Sequence, residues 1–287
     1  MDIQALRKMR TTSFAKITQE MERVANPYNN GLDENIWKLE RDKSGNASAV
    51  IRFLPAAEGD DLPWVKIYTH GFQGPTGKWY IENSLTTFNE EDPVSIVNGK
   101  LWNSGTESDK EIARKQKRRL SFTSNILVVS DPNHPENDGK VFLFKYGKKI
   151  FDMIMDKASP TFADEDAVNI FDLWEGCNFN CRIKTVEGYP NYDKSTFANP
   201  SEVYNGDEAK ILDVVNSQHK LSELVDRKNF KTFAELQKKF NNVMNIEDEL
   251  PFAPTPQAKA VTPSPKLEIA DDDDDILDYF NKIAAGE

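Results

Sequence analysis

Residues 110–130, KEIARKQKRRLSFTSNILVVS, carry two patterns in one stretch. Six of the first ten residues are basic: Lys110, Arg114, Lys115, Lys117, Arg118 and Arg119. An aromatic, Phe122, follows at once, and the apolar run 126–129 then predicts a buried strand. Dense positive charge is thus delivered to the mouth of a rigid element, in a chain of formal net charge −11. Clustered like charges repel, so such a cluster calls for a polyanion, and Lys and Arg supply phosphate contacts. A solvated surface loop is the competing reading of the same run.

The charge is unevenly spread. From residue 247 onward there are eleven acids and three lysines, a net of −8, which leaves about −3 for the first 246 residues. Hydrophobic residues make up 38% of the 287, low for a wholly globular chain, so part of it is expected to be a solvated tail. No run of about 18 apolar residues is present to span a membrane. The first residues are basic without an apolar h-region, unlike a secretory signal. The two cysteines, Cys177 and Cys181, are too few for a disulfide framework and fit a reducing cytosol. Their spacing in a strand-like segment with Phe179 and Ile183 makes them core candidates.

In chain order, Arg7, Lys8 and Arg10 precede Thr11 and Thr12, and an amphipathic helix is predicted over 13–25. Cations at a helix N-terminus oppose its dipole, so these bases read as an arm directed at another molecule, with a merely solubilising terminus as the competing reading. Strands are predicted over 37–39, 49–54, 64–68, 78–81, 125–129, 141–146, 168–173 and 177–186, with Gly, Asn, Asp or Pro between many of them. A helix is predicted over 149–156. Short helices follow over 210–216 and 222–226, and Thr232 with Glu235 is a capping-box signature. The fold class is α+β, mainly β, with a small barrel or sandwich as the core. The expected division is an arm and helix over 1–25, a core over 26–246, and a Pro-rich linker with an acidic tail over 247–287.

Aromatic residues accompany the lysines. Phe142, Phe144 and Tyr146 share one strand face, flanked by Lys140, Lys145, Lys148 and Lys149. Stacked bases beside phosphate-binding cations are how single-stranded nucleic acid is held, and a barrel core would produce the same stripe. Tyr189 and Tyr192, in a Gly/Pro turn, and Trp102, before the basic run, are further candidates. No P-loop, GxSxG or HExxH is present. Catalytic and cofactor sites are therefore not expected. Five consecutive aspartates, 271–275, offer no preorganised metal site.

The segments AVIRFLP (49–55), HGF (70–72), GKWYIE (77–82), SNILVVSDPNHPENDGKVF (124–142), YGKKI (146–150) and GYPNYD (188–193) resemble the single-stranded-DNA-binding replication proteins of T-even-like bacteriophages, the gene 32 family. The resemblance implies an OB-fold-containing core with a basic cleft and no catalytic activity, working in the cytoplasm of an infected bacterium. By this likeness Lys117, Arg118 and Arg119 contact phosphates, and Phe122, Phe144, Tyr189 and Tyr192 supply aromatic surface; Tyr146, Lys148, Lys149 and Trp102 join them as binding candidates from the residue pattern. Arg7, Lys8, Arg10, Thr11 and Thr12 match the family's basic-then-hydroxyl arm, interrupted here by Met9, which docks on a neighbouring copy. The acidic tail corresponds to the segment that recruits replication and recombination proteins. An RNA-binding regulator using the same cleft and a metal-dependent nuclease are the alternatives.

The likeness also implies a structural zinc on one His and three Cys. The corresponding positions read His70, Ser84, Asp92 and Ser95, with no thiolate, so no zinc is expected.

Overall fold

A computed structural model describes residues 35–162, 164–186 and 188–246. The expected arm, its helix and the acidic tail lie outside them. The stretch that opened the sequence reading becomes the centre of the sheet. Strand β5 (Arg119–Ser130) pairs along one edge with β6 (Val141–Tyr146). Along the other edge it pairs first with β3 (Val65–Gln73) and then with β2 (Ala47–Phe53). β5 is hydrogen-bonded on both edges and packed against a core on each face, so most of its residues are buried. Phe122, Ile126 and Val128 point into one core and Leu127 into another, the period-2 alternation of a strand.

The remaining strands extend this frame. β1 (Ile36–Trp37) runs parallel to β6, and β7 (Cys177–Val186) is antiparallel to β2. β8 (Tyr189–Asn191) and β9 (Thr196–Pro200) both pair with β7, and β4 (Trp79–Asn83) pairs with β3. The main path runs β1-β6-β5-β2-β7-β8 and is open among the described residues. Five α-helices are described: α1 (Pro93–Trp102), α2 (Glu107–Lys115), α3 (Lys148–Ala158), α4 (Glu208–Asn216) and α5 (Phe233–Met244). The fold is α+β with strands dominant. No described helix is long and apolar enough to cross a membrane.

Three hydrophobic clusters organise the described residues. The first gathers the inward faces of β1, β2, β5, β6 and β7 under α3, and includes Cys177 and Cys181. The second lies between the β3–β4 hairpin, α1 and α5, where Phe72 stacks on Tyr80 at 5.1 Å and Phe240 meets both rings edge-on. Gly74 lets the hairpin approach α5, since a Cβ there would sit 2.2 Å from the Val243 carbonyl. The third cluster is on the opposite face of β2 and β5, under α4. β3 serves two ladders: Thr69 faces Arg119 of β5 and also Asn83 of β4.

The structure departs from the sequence expectations in several places, among them β8 and β9, which lie where a turn and loop were expected. The strand expected over 168–173 is an irregular turn. Val168, Ile170, Phe171 and Leu173 are buried, so burial of apolar side chains rather than sheet pairing explains the run. The strand expected over 125–129 begins six residues earlier, at Arg119, because β3 offers a partner edge there. Helices α1 and α2 were not expected. Asp92 caps α1 ahead of Pro93, and Thr106 caps α2, whose first turn holds Glu107 and Asp109; these are helix-start signals.

Candidate nucleic-acid interface

The basic run is divided among three elements. Lys110, Arg114 and Lys115 belong to α2, and Lys117 and Arg118 form the turn after it. Arg119 opens β5. Part of the charge serves the helix: Arg114 and Lys115 lie in its last turn, where cations suit the dipole. Arg114 also pairs with Glu107 at 2.6 Å and lies 5.6 Å from the Trp102 ring. Arg118 is different. Its exposed guanidinium lies 4.3 Å from the centroid of Tyr68 on β3, a cation–π arrangement that leaves its donors available to solvent.

Register brings the second lysine group to the same end of the sheet. Tyr146 closes β6 opposite Phe122, and α3 begins two residues later with Lys148 and Lys149. Those lysines therefore emerge at the same end of the β5–β6 pair as the 117–119 turn. Lys148 pairs with Asp152 and Lys149 with Asp193, each at 2.6 Å. The second pair ties α3 to the turn carrying Tyr189, and it holds the Asp193 carboxyl below its ordinary range. Both pairs are exposed, so an incoming phosphate exchanges with them at little cost.

The aromatic residues separate into two groups. Phe122, Phe144, Tyr146 and Tyr192 are core side chains. Phe122 stacks flat on Phe151 of α3 at 3.9 Å, Phe144 meets Trp37 at 5.3 Å, and the Tyr146 hydroxyl lies 2.9 Å from the Ser124 hydroxyl. Burial raises the Tyr146 phenol. The stripe on β6 is therefore a core face, and these four rings offer no open face to a base. Tyr189 is 54% exposed and Trp102 half-buried, so both remain accessible. Tyr68, which the sequence reading missed, joins them; pairing β3 to β5 places it opposite Leu120. Its position one strand away from the basic run left no sequential signal.

Beneath the basic turn lies a buried polar cluster. His70, Ser84, Asp92 and Ser95, distant in sequence, meet in space. The His70 Nδ1–H donates to the Gln116 carbonyl (2.9 Å), while its Nε2 lies 3.3 Å from Asp92 Oδ1 and 3.4 Å from Ser95 Oγ. Asp92 Oδ2 accepts from the Ser84 hydroxyl (3.0 Å) and the Leu85 N–H (3.2 Å), and Oδ1 accepts from the N–H groups of Val94 and Ser95. Burial pushes the Asp92 carboxyl up. Hydrogen bonds from His70, Ser95 and Ser84, with the His70 charge, outweigh that and hold it low. One imidazole, one carboxylate already accepting four hydrogen bonds, and two hydroxyls do not fit a zinc ion. The cluster instead braces β3 and α1 against Gln116, the residue that caps α2 and precedes Lys117.

A family model described as "gp32 DNA binding protein like" matches residues 45–244. The single-stranded DNA-binding protein of Enterobacteria phage T2 is 37% identical over 273 residues, 94% of this chain and 87% of that protein. Its counterpart in Enterobacteria phage T4 is 36% identical over 272 residues, again 94% and 87%. A shorter relative, the single-stranded DNA-binding protein of Enterobacteria phage RB70, is 33% identical over 112 residues, 38% of this chain and 95% of its own.

Proposed function

The chain belongs to the gp32-like DNA-binding family, and from that premise we propose that it coats single-stranded DNA during phage replication, recombination and repair. Strand binding without regard to sequence is its principal activity. It acts as a binding protein rather than an enzyme, in the cytoplasm of the infected host.

What supports this reading is that Lys117, Arg118, Lys148 and Lys149 all flank the same end of the β5–β6 pair, that the Lys149–Asp193 pair links Tyr189's segment to it, and that Arg118 lies on Tyr68. Cations there meet phosphates while Tyr189, Tyr68 and Trp102 offer rings to bases. Arg119 completes the basic turn. The single inward core shared by β1, β2, β5, β6 and β7 supports an OB-type curl of the sheet. The arm, Arg7, Lys8, Arg10, Thr11 and Thr12, engages a neighbouring copy and makes coating cooperative. The acidic tail recruits replication and recombination proteins.

Titration of poly(dT) and of matched duplex DNA at two salt concentrations, followed by intrinsic fluorescence, tests the reading. Tight binding to the single strand alone, weakening by about 0.7 logarithmic units per phosphate contact for each tenfold rise in salt, is the expected result. Equal binding to both forms would reduce the basic turn to a nonspecific patch.

A further inference from the structure

Away from the basic turn, the fold holds an indole out in water. Trp174 is 53% exposed, and its turn is firmly built. The Asp172 carboxylate accepts from the N–H groups of Trp174 (2.8 Å) and Glu175 (2.7 Å). The buried Arg52 guanidinium donates to the carbonyls of Asp172 (2.8 Å) and Ser201 (2.9 Å). Gly176 packs so closely that a Cβ would meet the Asp172 carbonyl at 2.3 Å. Two clefts share the indole as a wall. One, of about 420 Å³, is walled by Pro55, Pro63, Trp64 and Phe171; the other, of about 540 Å³, by Asp166, Glu175, Pro200 and Glu202. The surrounding segment 156–175 holds six acids and one lysine.

An exposed ring between apolar walls and carboxylates suits a cationic peptide: guanidinium stacks on indole and pairs with carboxylate. Two segments of this chain lie outside the described residues and could reach such a site on another copy. The tail, net −8, is repelled by the acidic rim. The N-terminal arm carries Arg7, Lys8 and Arg10 with Met9 among them, matching both the charge and the apolar wall. We propose that the clefts flanking Trp174 receive residues 7–12 of a neighbouring copy. This rests on the reading of the protein as a cooperative coat.

The placement fits that role. Trp64 precedes Val65, which faces Thr123, whereas Arg119 faces Thr69 at the other end of the same ladder. The clefts and the turn at Arg119 are thus about 15 Å apart along β3, while Trp64 also meets Phe151 of α3 at 5.7 Å, one turn beyond Lys148. An arm inserted into a different surface of the next copy is a heterologous contact, which propagates as an open filament rather than closing into a dimer.

The test compares full-length variants on poly(dT) and on an oligo(dT) that holds one copy. Trp174→Ala, the exposed pair Asp166→Lys with Glu175→Lys, and the arm pair Arg7→Glu with Arg10→Glu should each weaken poly(dT) binding about tenfold, with oligo(dT) affinity unchanged. Combining both charge reversals should restore poly(dT) binding. If the arm pair weakens poly(dT) binding while the Trp174 and acid variants do not, the arm docks elsewhere: the proposal fails and the cooperative reading stands. If the arm pair also has no effect, both fail. Equal losses on oligo(dT) would place Trp174 on the strand's path and overturn the proposal.

Discussion

Arg118, in the turn before β5, and Tyr146, at the end of β6, take opposite roles. Arg118 is exposed over Tyr68, so Arg118→Ala should weaken single-strand binding and reduce the salt slope by about 0.7, one phosphate contact. Titrations at several salt concentrations measure both. Tyr146 is buried with its hydroxyl on Ser124; Tyr146→Phe should cost about 1 kcal/mol in denaturant unfolding and leave DNA affinity unchanged. A drop in affinity would return the β6 stripe to the binding surface. Asp92 has a pH signature. Its folded pKa is lowered, so its stabilisation is complete above the ordinary carboxylate pKa near 4 and is lost as pH falls through the folded value. Asp92→Ala should cost about 3 kcal/mol at neutral pH, from the lost cap and the unpartnered buried donors. Urea unfolding of both forms between pH 7 and 3 should show the gap narrowing in acid. At this scale the bases were legible because charge is visible in a sequence. Burial of Phe122, Phe144, Tyr146 and Tyr192 was not, because a stripe of rings at period 2 reads alike as platform and core.

Elements were legible where local chemistry decided them. The Thr232–Glu235 capping box is present in both directions, with the Glu235 carboxylate accepting from the Thr232 N–H at 2.8 Å. Thr232→Ala should therefore cost about 1 kcal/mol and loosen α5 over the second core, read as faster amide exchange in α5. The strand of 141–146 was likewise found from its alternation. Where partners distant in sequence decided the outcome, the reading stopped short. β5 is extended to Arg119 by β3. The run 168–173 stays irregular because its apolar side chains are buried without a sheet edge. Helices α1 and α2 had legible starts at Asp92–Pro93 and Thr106–Glu107, but α1 has little amphipathic pattern to follow. The four positions His70, Ser84, Asp92 and Ser95 were singled out by likeness to a zinc site; that they close on one another by hydrogen bonds required the fold.

On the scale of the whole molecule, charge is the dominant fact: about −3 over residues 1–246 and −8 beyond. A tethered polyanion competes with DNA for a basic surface through its high local concentration. Removing residues 247–287 should strengthen poly(dT) binding, most at low salt; equal affinity with and without the tail would exclude that competition.

The sharing of β3 between two ladders has a consequence for the newborn chain. The second core joins the β3–β4 hairpin and α1 to α5, and α5 follows the basic turn by about 120 residues. At roughly 5–20 residues per second, the ribosome delivers the cations some 6–25 seconds before the helix that completes the lobe beneath them. During that interval Gln116 and the turn after it lack their finished support. Full support for the basic turn therefore arrives only as translation nears its close.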